Sequence, residues 1–232
     1  MAITNLTPAI SRRAAVAGYY YPSRAAELAQ SIRQLTQVES SPMAAHAVIV
    51  PHGSLDRCGS VTGSTLARVR IPRRCILLGP SHTGTWLPWA VMAAGAYRTP
   101  LGEVPIDERC VDALLKRCPF LTVDPSAHRG EHALEVLLPF LQTLGPRDLE
   151  IVPVVMGLDD VEECHMMAQA LAQVVRLQEE PVLLLASSEL SQYLPVDEVR
   201  ANDQRLLGAM SALDSASVRH QAGRQRGSLC GL

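Results

Sequence analysis

Three short apolar runs, each stopping at a polar loop, constrain this chain more than any other feature. Ala47-Val-Ile-Val50 runs into Pro51-His52-Gly53, and Cys75-Ile-Leu-Leu78 runs into Gly79-Pro80-Ser81-His82. The third, Val182-Leu-Leu-Leu-Ala186, runs into Ser187-Ser188-Glu189-Leu190-Ser191-Gln192. Unbroken apolar runs bounded by Gly and Pro are the signature of strands buried on both faces, as in a parallel sheet. In open α/β sheets, ligands bind outside the carboxyl ends of the strands. The expectation is therefore an α/β fold, a single domain over residues 1–232. A central, largely parallel or mixed sheet would be flanked by helices, with His52, His82 and Glu189 converging on one edge.

The intervening segments fit that frame. Ala14 to Pro22 reads as a short extended segment ending in a turn, and Ser23 is placed to cap a helix running to about Leu35. Residues 60–69 read as a helix, completing a strand–loop–helix–strand unit into 75–78. Trp86-Leu-Pro-Trp89 and Thr99-Pro-Leu-Gly102 are turn chemistry between β-like runs, so a hairpin insertion is expected there rather than a crossover helix. Further helices are expected from Asp107, over His132–Thr143, over Asp159–Leu177 and over Val196–Met210, with a strand at Glu150–Met156. Pro139 should kink or shorten the second of these helices. Ser211 to Gly227 reads as a polar tail.

The chain has 232 residues with a net charge of −2 and a pI near 6.4, which offers no electrostatic case for nucleic acid or an anionic membrane. Its apolar runs are strand-length, and Met1 to Arg13 lacks the apolar core of a secretory signal. A cytoplasmic protein is expected. The six cysteines, at 58, 75, 110, 118, 164 and 230, form no C-x-x-C pair. That argues against a zinc ribbon or a thioredoxin-like motif and for reduced thiols.

Of seven histidines, His165 lies mid-helix, and His46 and His220 have no constellation around them. His52, His82, His128 and His132 fall in loops or at a helix start. Two neutral imidazoles plus one anionic ligand commonly hold a first-row metal while leaving coordination positions open. The anion here is Glu131, Glu135, Glu189 or the thiolate of Cys230, and the residue types alone do not choose among them. A metal-free alternative makes Ser81 or Ser188 a nucleophile with histidine as base, but no G-x-S-x-G elbow is present.

These motifs, taken in order, resemble the MEMO1 family, whose prokaryotic members are also called AmmeMemoRadiSam system protein B. The series includes Ala-Val-Ala-Gly18-Tyr-Tyr-Tyr-Pro22, Pro51-His52-Gly53, Leu-Gly79-Pro-Ser-His82 and Tyr97-Arg-Thr-Pro-Leu-Gly102. It continues with Gly130-Glu-His-Ala-Leu-Glu135, Leu-Pro139-Phe-Leu-Gln142, Ile151-Val-Pro-Val-Val-Met-Gly157, Ser187-Ser-Glu-Leu-Ser191 and Cys230-Gly231. The resemblance implies a fold similar to class III extradiol dioxygenases, which are non-haem iron enzymes. It implies metal ligands matching His52, His82 and Cys230, a set suited to iron(II) or copper. Catalytic residues matching His132, Glu131 and Glu189 would line the same cleft. It also implies AMMECR1-like and radical-SAM proteins as partners; the ligand, a small molecule or a peptide, is not supplied by the resemblance.

The chain departs from the family pattern at several places. Where the family has Pro-His-Ala-Gly-Tyr-x-Tyr, this chain has Leu55 and Arg57 at the tyrosine positions. Where the family has Ser-Ser-Asp-x-(Ser/Cys)-His, this chain has Glu189 and Gln192, and a glutamine cannot exchange protons as imidazole does. The sequence ends at Cys230-Gly-Leu, so the part of the family fold that follows is expected to be missing. Two functions are compatible with these features. One is a metal-site protein with dioxygenase-like redox activity; the other is a non-catalytic peptide- or protein-binding module.

Overall fold

A computed structural model of the chain describes residues 11–83, 89–157, 160–224 and 230. Two compact units emerge, Met1–Ser187 and Ser188–Leu232.

The first unit is built on a six-stranded sheet of order β2-β9-β3-β8-β4-β7. Its members are β2 (Ala47–Val50), β3 (Arg74–Pro80), β4 (Trp89–Val91), β7 (Thr122–Val123), β8 (Glu150–Met156) and β9 (Val182–Ser187). β2, β9, β3 and β8 run parallel, while β4 is antiparallel to β8 and parallel to β7. The α/β class, with a mixed but mostly parallel sheet flanked by helices, is as expected. The centres of β3 and β8 are deeply buried; Cys75, Ile76, Leu77, Ile151, Val152 and Val154 have no exposed surface, which is why these segments read as unbroken apolar runs.

The hairpin insertion expected after β3 is present as β5 (Ala96–Thr99) and β6 (Gly102–Pro105), which with β1 (Ser11–Arg12) make a separate three-stranded sheet. The turn expected at residues 86–88 and the helix start expected at Asp159 lie outside the described residues.

The helices differ from expectation mainly at their ends. α1 (Ala25–Leu35) is capped by the extended backbone of Arg24, with no side-chain cap, so Ser23 does not take that role. α2 (Leu55–Leu66) begins directly after the His52 loop, five residues before the predicted start at 60. α3 (Glu108–Leu115) is capped by the Asp107 carboxylate, which accepts from the Cys110 N–H, and α6 (Val161–Arg176) by that of Asp160. A short α4 (Pro125–Arg129) precedes the loop carrying Glu131 and His132.

The single helix expected over 132–143 divides into a 3₁₀ turn at Glu135–Leu137 and α5 (Leu138–Leu144). Pro139 falls in the first turn of α5, where its missing N–H costs nothing, so the helix is shortened, as one of the two expected outcomes, and not kinked.

The second unit contains α7 (Val196–Ser211) and α8 (Ser215–Arg224), the latter formed from part of the expected tail.

Candidate metal centre

The sheet order places the first two histidines. β9 lies between β2 and β3, and Val50 at the end of β2 is in register with Ser187 at the end of β9. His52 follows β2 by two residues and His82 follows β3 by two, so they flank the end of β9. Strands two apart in a sheet are about 9.6 Å apart, and the rings lean inward over that end to a centroid separation of 5.2 Å. His132 arrives from the loop after α4 and packs on both. Its ring is 4.4 Å from His82, nearly stacked, and 5.6 Å from His52. Donor nitrogens of His52, His82 and His132 all lie within 4.8 Å of one another, a spacing that one first-row ion can bridge.

Each ring has its own environment. His52 is 2% exposed, and its Nδ1 is 2.8 Å from the Ser187 hydroxyl. Burial, followed by the neighbouring His82 and His132, pushes its pKa down to about 4, so it stands neutral near pH 7, as a ligand must. His82 is the solvent-facing member. Its Nδ1 lies 2.7 Å from Glu131 Oε1, and its backbone N–H also donates to Glu131. His132 is half-buried; burial and then His82 lower its pKa. Its Nδ1 is 3.5 Å from the same Glu131 oxygen, and its ring packs 4.7 Å from that of Tyr20.

Glu131 organises this side of the site. Burial opposes its charge, but hydrogen bonds from the His82 side chain, the Ala133 N–H and the His82 N–H together outweigh it and bring its carboxyl down to about 2. It is an anion that fixes imidazole orientation, the arrangement commonly found behind metal-bound histidine.

Beneath it lies a second buried network. The Arg12 guanidinium pairs with Glu135 and donates to the backbone oxygens of His128 at 2.8 Å and Glu131 at 2.6 Å. Glu135 also accepts from the N–H groups of Ala15 and Val16 and from the Tyr21 hydroxyl. The Ala14–Tyr21 segment and the loop over 128–135 are thereby tied together, which brings Tyr20 against His132. His128 is fully buried, with Nδ1 2.7 Å from the Tyr97 hydroxyl, and burial lowers its pKa to about 4. It is a packing and hydrogen-bonding residue of this network.

The predicted site residues thus fall into two groups. In the first unit, His52, His82, His132 and Glu131 come together, while Glu135 is committed to Arg12, Tyr21 and backbone N–H groups. In the second unit, Glu189 and Cys230 face each other across an antiparallel bridge, with N···O distances of 2.9 and 3.0 Å. Ser188 donates its hydroxyl to Cys230 O at 2.9 Å, and the Gln192 amide donates to Glu189 Oε2 at 2.5 Å. At the position where the family pattern has histidine, Gln192 therefore positions the carboxylate.

A cavity of about 510 Å³ adjoins Tyr20 and is lined by Tyr19, Tyr20, Leu35, Leu55 and Asp56 among others. Leu55 stands at a family tyrosine position, yet Tyr19 and Tyr20 supply an aromatic wall. Ser187, Arg12 and Tyr20 went unmarked as functional residues in the sequence; the Gly18-Tyr-Tyr-Tyr21 motif was the available signal for Tyr20.

A model of the Memo-like protein family matches residues 12–232. A MEMO1 family protein of Aquifex aeolicus is 35% identical over 222 residues, covering 95% of this chain and 82% of that protein. One of Methanopyrus kandleri is 32% identical over 236 residues, covering 96% and 83% respectively. This chain belongs to the MEMO1 family. The family match spans both units, so the three-histidine group and the Glu189–Cys230 pair are both within it. Among the described residues no helix is long and apolar enough to cross a membrane.

Proposed function

We propose that this MEMO1-family chain is a mononuclear metal protein that holds iron(II) or copper on His52, His82 and His132 and carries out dioxygenase-like redox chemistry. The observation that supports this most directly is the convergence of three imidazoles, two of them anchored through Nδ1 by Ser187 and Glu131. An all-imidazole donor set suits zinc, copper, iron and nickel, and the choice of iron(II) or copper among them follows the family resemblance. When bound, such an ion supplies a Lewis-acidic, redox-active centre with positions open to substrate.

The chain's own residues orient the donors and keep His52 neutral, and Tyr20, whose ring packs on His132, also lines the cavity where a small molecule or peptide would sit. With His132 engaged as a ligand, catalytic proton handling falls to Glu131 in this reading. Glu189, with Cys230 opposite it, is the further carboxylate that the family pattern contributes. AMMECR1-like and radical-SAM proteins are the partners the family resemblance suggests. The buried thiols of Cys75 and Cys110, both pushed up to about 12 by burial, fit a reducing cytoplasmic setting.

A second reading, a binding module without turnover, is favoured by Gln192, which cannot act as the general acid or base that an imidazole provides.

Elemental analysis of protein purified without oxygen tests the metal reading. About one iron or copper per chain, lost in His82→Ala and His132→Ala, is expected. Wild-type protein that holds no metal after anaerobic reconstitution with either ion would overturn it. A Cys230→Ser variant run alongside shows whether a thiolate is needed for retention.

A further inference from the structure

We propose that Ser187 is a positioning residue that locks His52 in its Nδ1–H tautomer and presents Nε2 as the donor atom, through a relay that ends on the backbone of Ala133. The inference rests on the metal reading above and concerns residues of the first unit only.

The reasoning is a count of protons. A serine hydroxyl has one proton to donate and lone pairs to accept with. Ser187 Oγ is 2.6 Å from the carbonyl oxygen of Ala133, which can only accept, so the hydroxyl proton is committed there. The same Oγ is 2.8 Å from His52 Nδ1. With its proton already used, Ser187 can meet that nitrogen only as an acceptor, so Nδ1 carries the hydrogen. Neutral His52 then has its lone pair on Nε2. The same geometry argues against Ser187 as a nucleophile, since its hydroxyl donates to a carbonyl and not to a basic nitrogen.

Ala133 also serves the other side of the site. Its N–H donates to Glu131 Oε1 at 2.8 Å, and that oxygen is 2.7 Å from His82 Nδ1. An ionised carboxylate can only accept, so His82 also carries its hydrogen on Nδ1. One residue's backbone therefore terminates both locks: its C=O holds the Ser187 hydroxyl behind His52, and its N–H holds the carboxylate behind His82. His132 is the adjacent residue in the chain. The tripeptide 131–133 sets the orientation of all three imidazoles.

Packing holds Ser187 in place. It is 1% exposed, and a Cβ added at Gly79 would lie 3.3 Å from Ser187 Cβ, 3.4 Å from Ala133 Cβ and 2.7 Å from Leu134 Cδ2. The glycine leaves room for the Leu134 side chain and Ala133 Cβ against β3, beside the end of its neighbour β9. That contact keeps Ser187 within reach of both partners.

The test uses the full chain without metal, labelled with ¹⁵N-histidine. Two-bond ¹⁵N–¹H correlation spectra should show His52 as the Nδ1–H tautomer in wild type, a mixture or the Nε2–H form in Ser187→Ala, and restored Nδ1–H in Ser187→Thr. Calorimetric titration with zinc(II), a redox-silent probe of the histidine donors, should show an affinity about 10–100-fold lower in Ser187→Ala, recovered in Ser187→Thr. If Ser187→Thr does not fold, the spectra of wild type and Ser187→Ala decide alone. Wild-type His52 in the Nε2–H form overturns the proposal. So does a Ser187→Ala variant that keeps the Nδ1–H form with zinc affinity within threefold of wild type. If wild type takes up no zinc, the metal reading is still judged by the iron and copper content, and the tautomer comparison decides the role of Ser187.

Discussion

Replacing Arg12 with methionine should unravel the support under the histidine site. The guanidinium and the Glu135 carboxylate are 3% and 0% exposed, so neither charge has water to fall back on. Methionine keeps the apolar stem, which packs where the guanidinium carbon sits 4.7 Å from the Tyr97 ring centroid, but removes every donor. Glu135 would then rely on Ala15 N, Val16 N and the Tyr21 hydroxyl, and the carbonyls of His128 and Glu131 would each lose a partner. Breaking one side of a buried ion pair typically costs about 3–5 kcal/mol. For a chain of this size each kcal/mol lowers Tm by about 2–4 °C, which gives a fall of roughly 6–20 °C. Urea unfolding followed by tryptophan fluorescence, with Trp89 buried as a reporter, measures the loss directly. In the double variant Arg12→Met/Glu135→Leu no uncompensated carboxylate remains. It should be more stable than Arg12→Met alone, with a coupling energy of about 2 kcal/mol or more. A single-variant loss under 1 kcal/mol, or additive losses in the pair, would refute the argument that this network carries the loop.

Two further outcomes follow from buried groups and close contacts. His52 and His128 both have pKa values lowered from 6.5 to about 4 by burial, so between those values the unfolded chain binds more protons than the folded one. Their contribution to stability is complete above pH 6.5 and is lost as pH falls towards 4, up to about 3 kcal/mol for each. Urea midpoints of the metal-free chain taken from pH 7.5 to 4.5 should fall over this window; a flat or rising profile contradicts the burial argument. Gly79→Ala places a methyl 2.7 Å from Leu134 Cδ2 and should cost about 1–3 kcal/mol by overpacking. The same substitution should disturb the His52 signal in histidine NMR, and an unshifted signal with unchanged stability would show that the approach to β3 is looser than described.

How much of this could be seen in the sequence depends on what each residue's neighbours are. β3, β8 and β9 are legible because buried parallel strands leave an unbroken apolar record; β2 carries the same record although it is the sheet edge and only its Val50 is buried, and the loops after β2 and β3 name His52 and His82 directly. The start of α2 is hidden in the sequence because Leu55-Asp56-Arg57-Cys58-Gly59 has little apolar periodicity and Ser54, at the N-cap, gives the helix no side-chain cap hydrogen bond. Pro139 was legible as a breaker, but not as the first turn of a new helix after a 3₁₀ segment. The roles of Arg12, Ala133 and Ser187 depend on pairings across 119, 2 and 135 residues respectively. Two of these use backbone atoms of 131–133, which any residue but proline would supply, so the side-chain sequence carries almost no trace of them.

The same reasoning explains why the third imidazole was hard to assign. His132 is three residues before Glu135, and helical spacing would put them on one face, inviting a joint role in one cleft. The backbone turns into a 3₁₀ segment at Glu135 instead, and the two side chains part company. Glu135 enters the Arg12 network, while His132 stacks on His82 and packs at a tilt against Tyr20. The division separates two tasks. A fully buried carboxylate held by a guanidinium, two N–H groups and a phenol is a structural anchor, because its capacity to accept is used up. The half-buried imidazole above it keeps one face on Tyr20 and another on His82, with a nitrogen within reach of its two partners. Arg12 and Glu135 can thus hold the 128–135 loop before any ion arrives, and the histidines are arranged by the fold instead of being gathered by the metal.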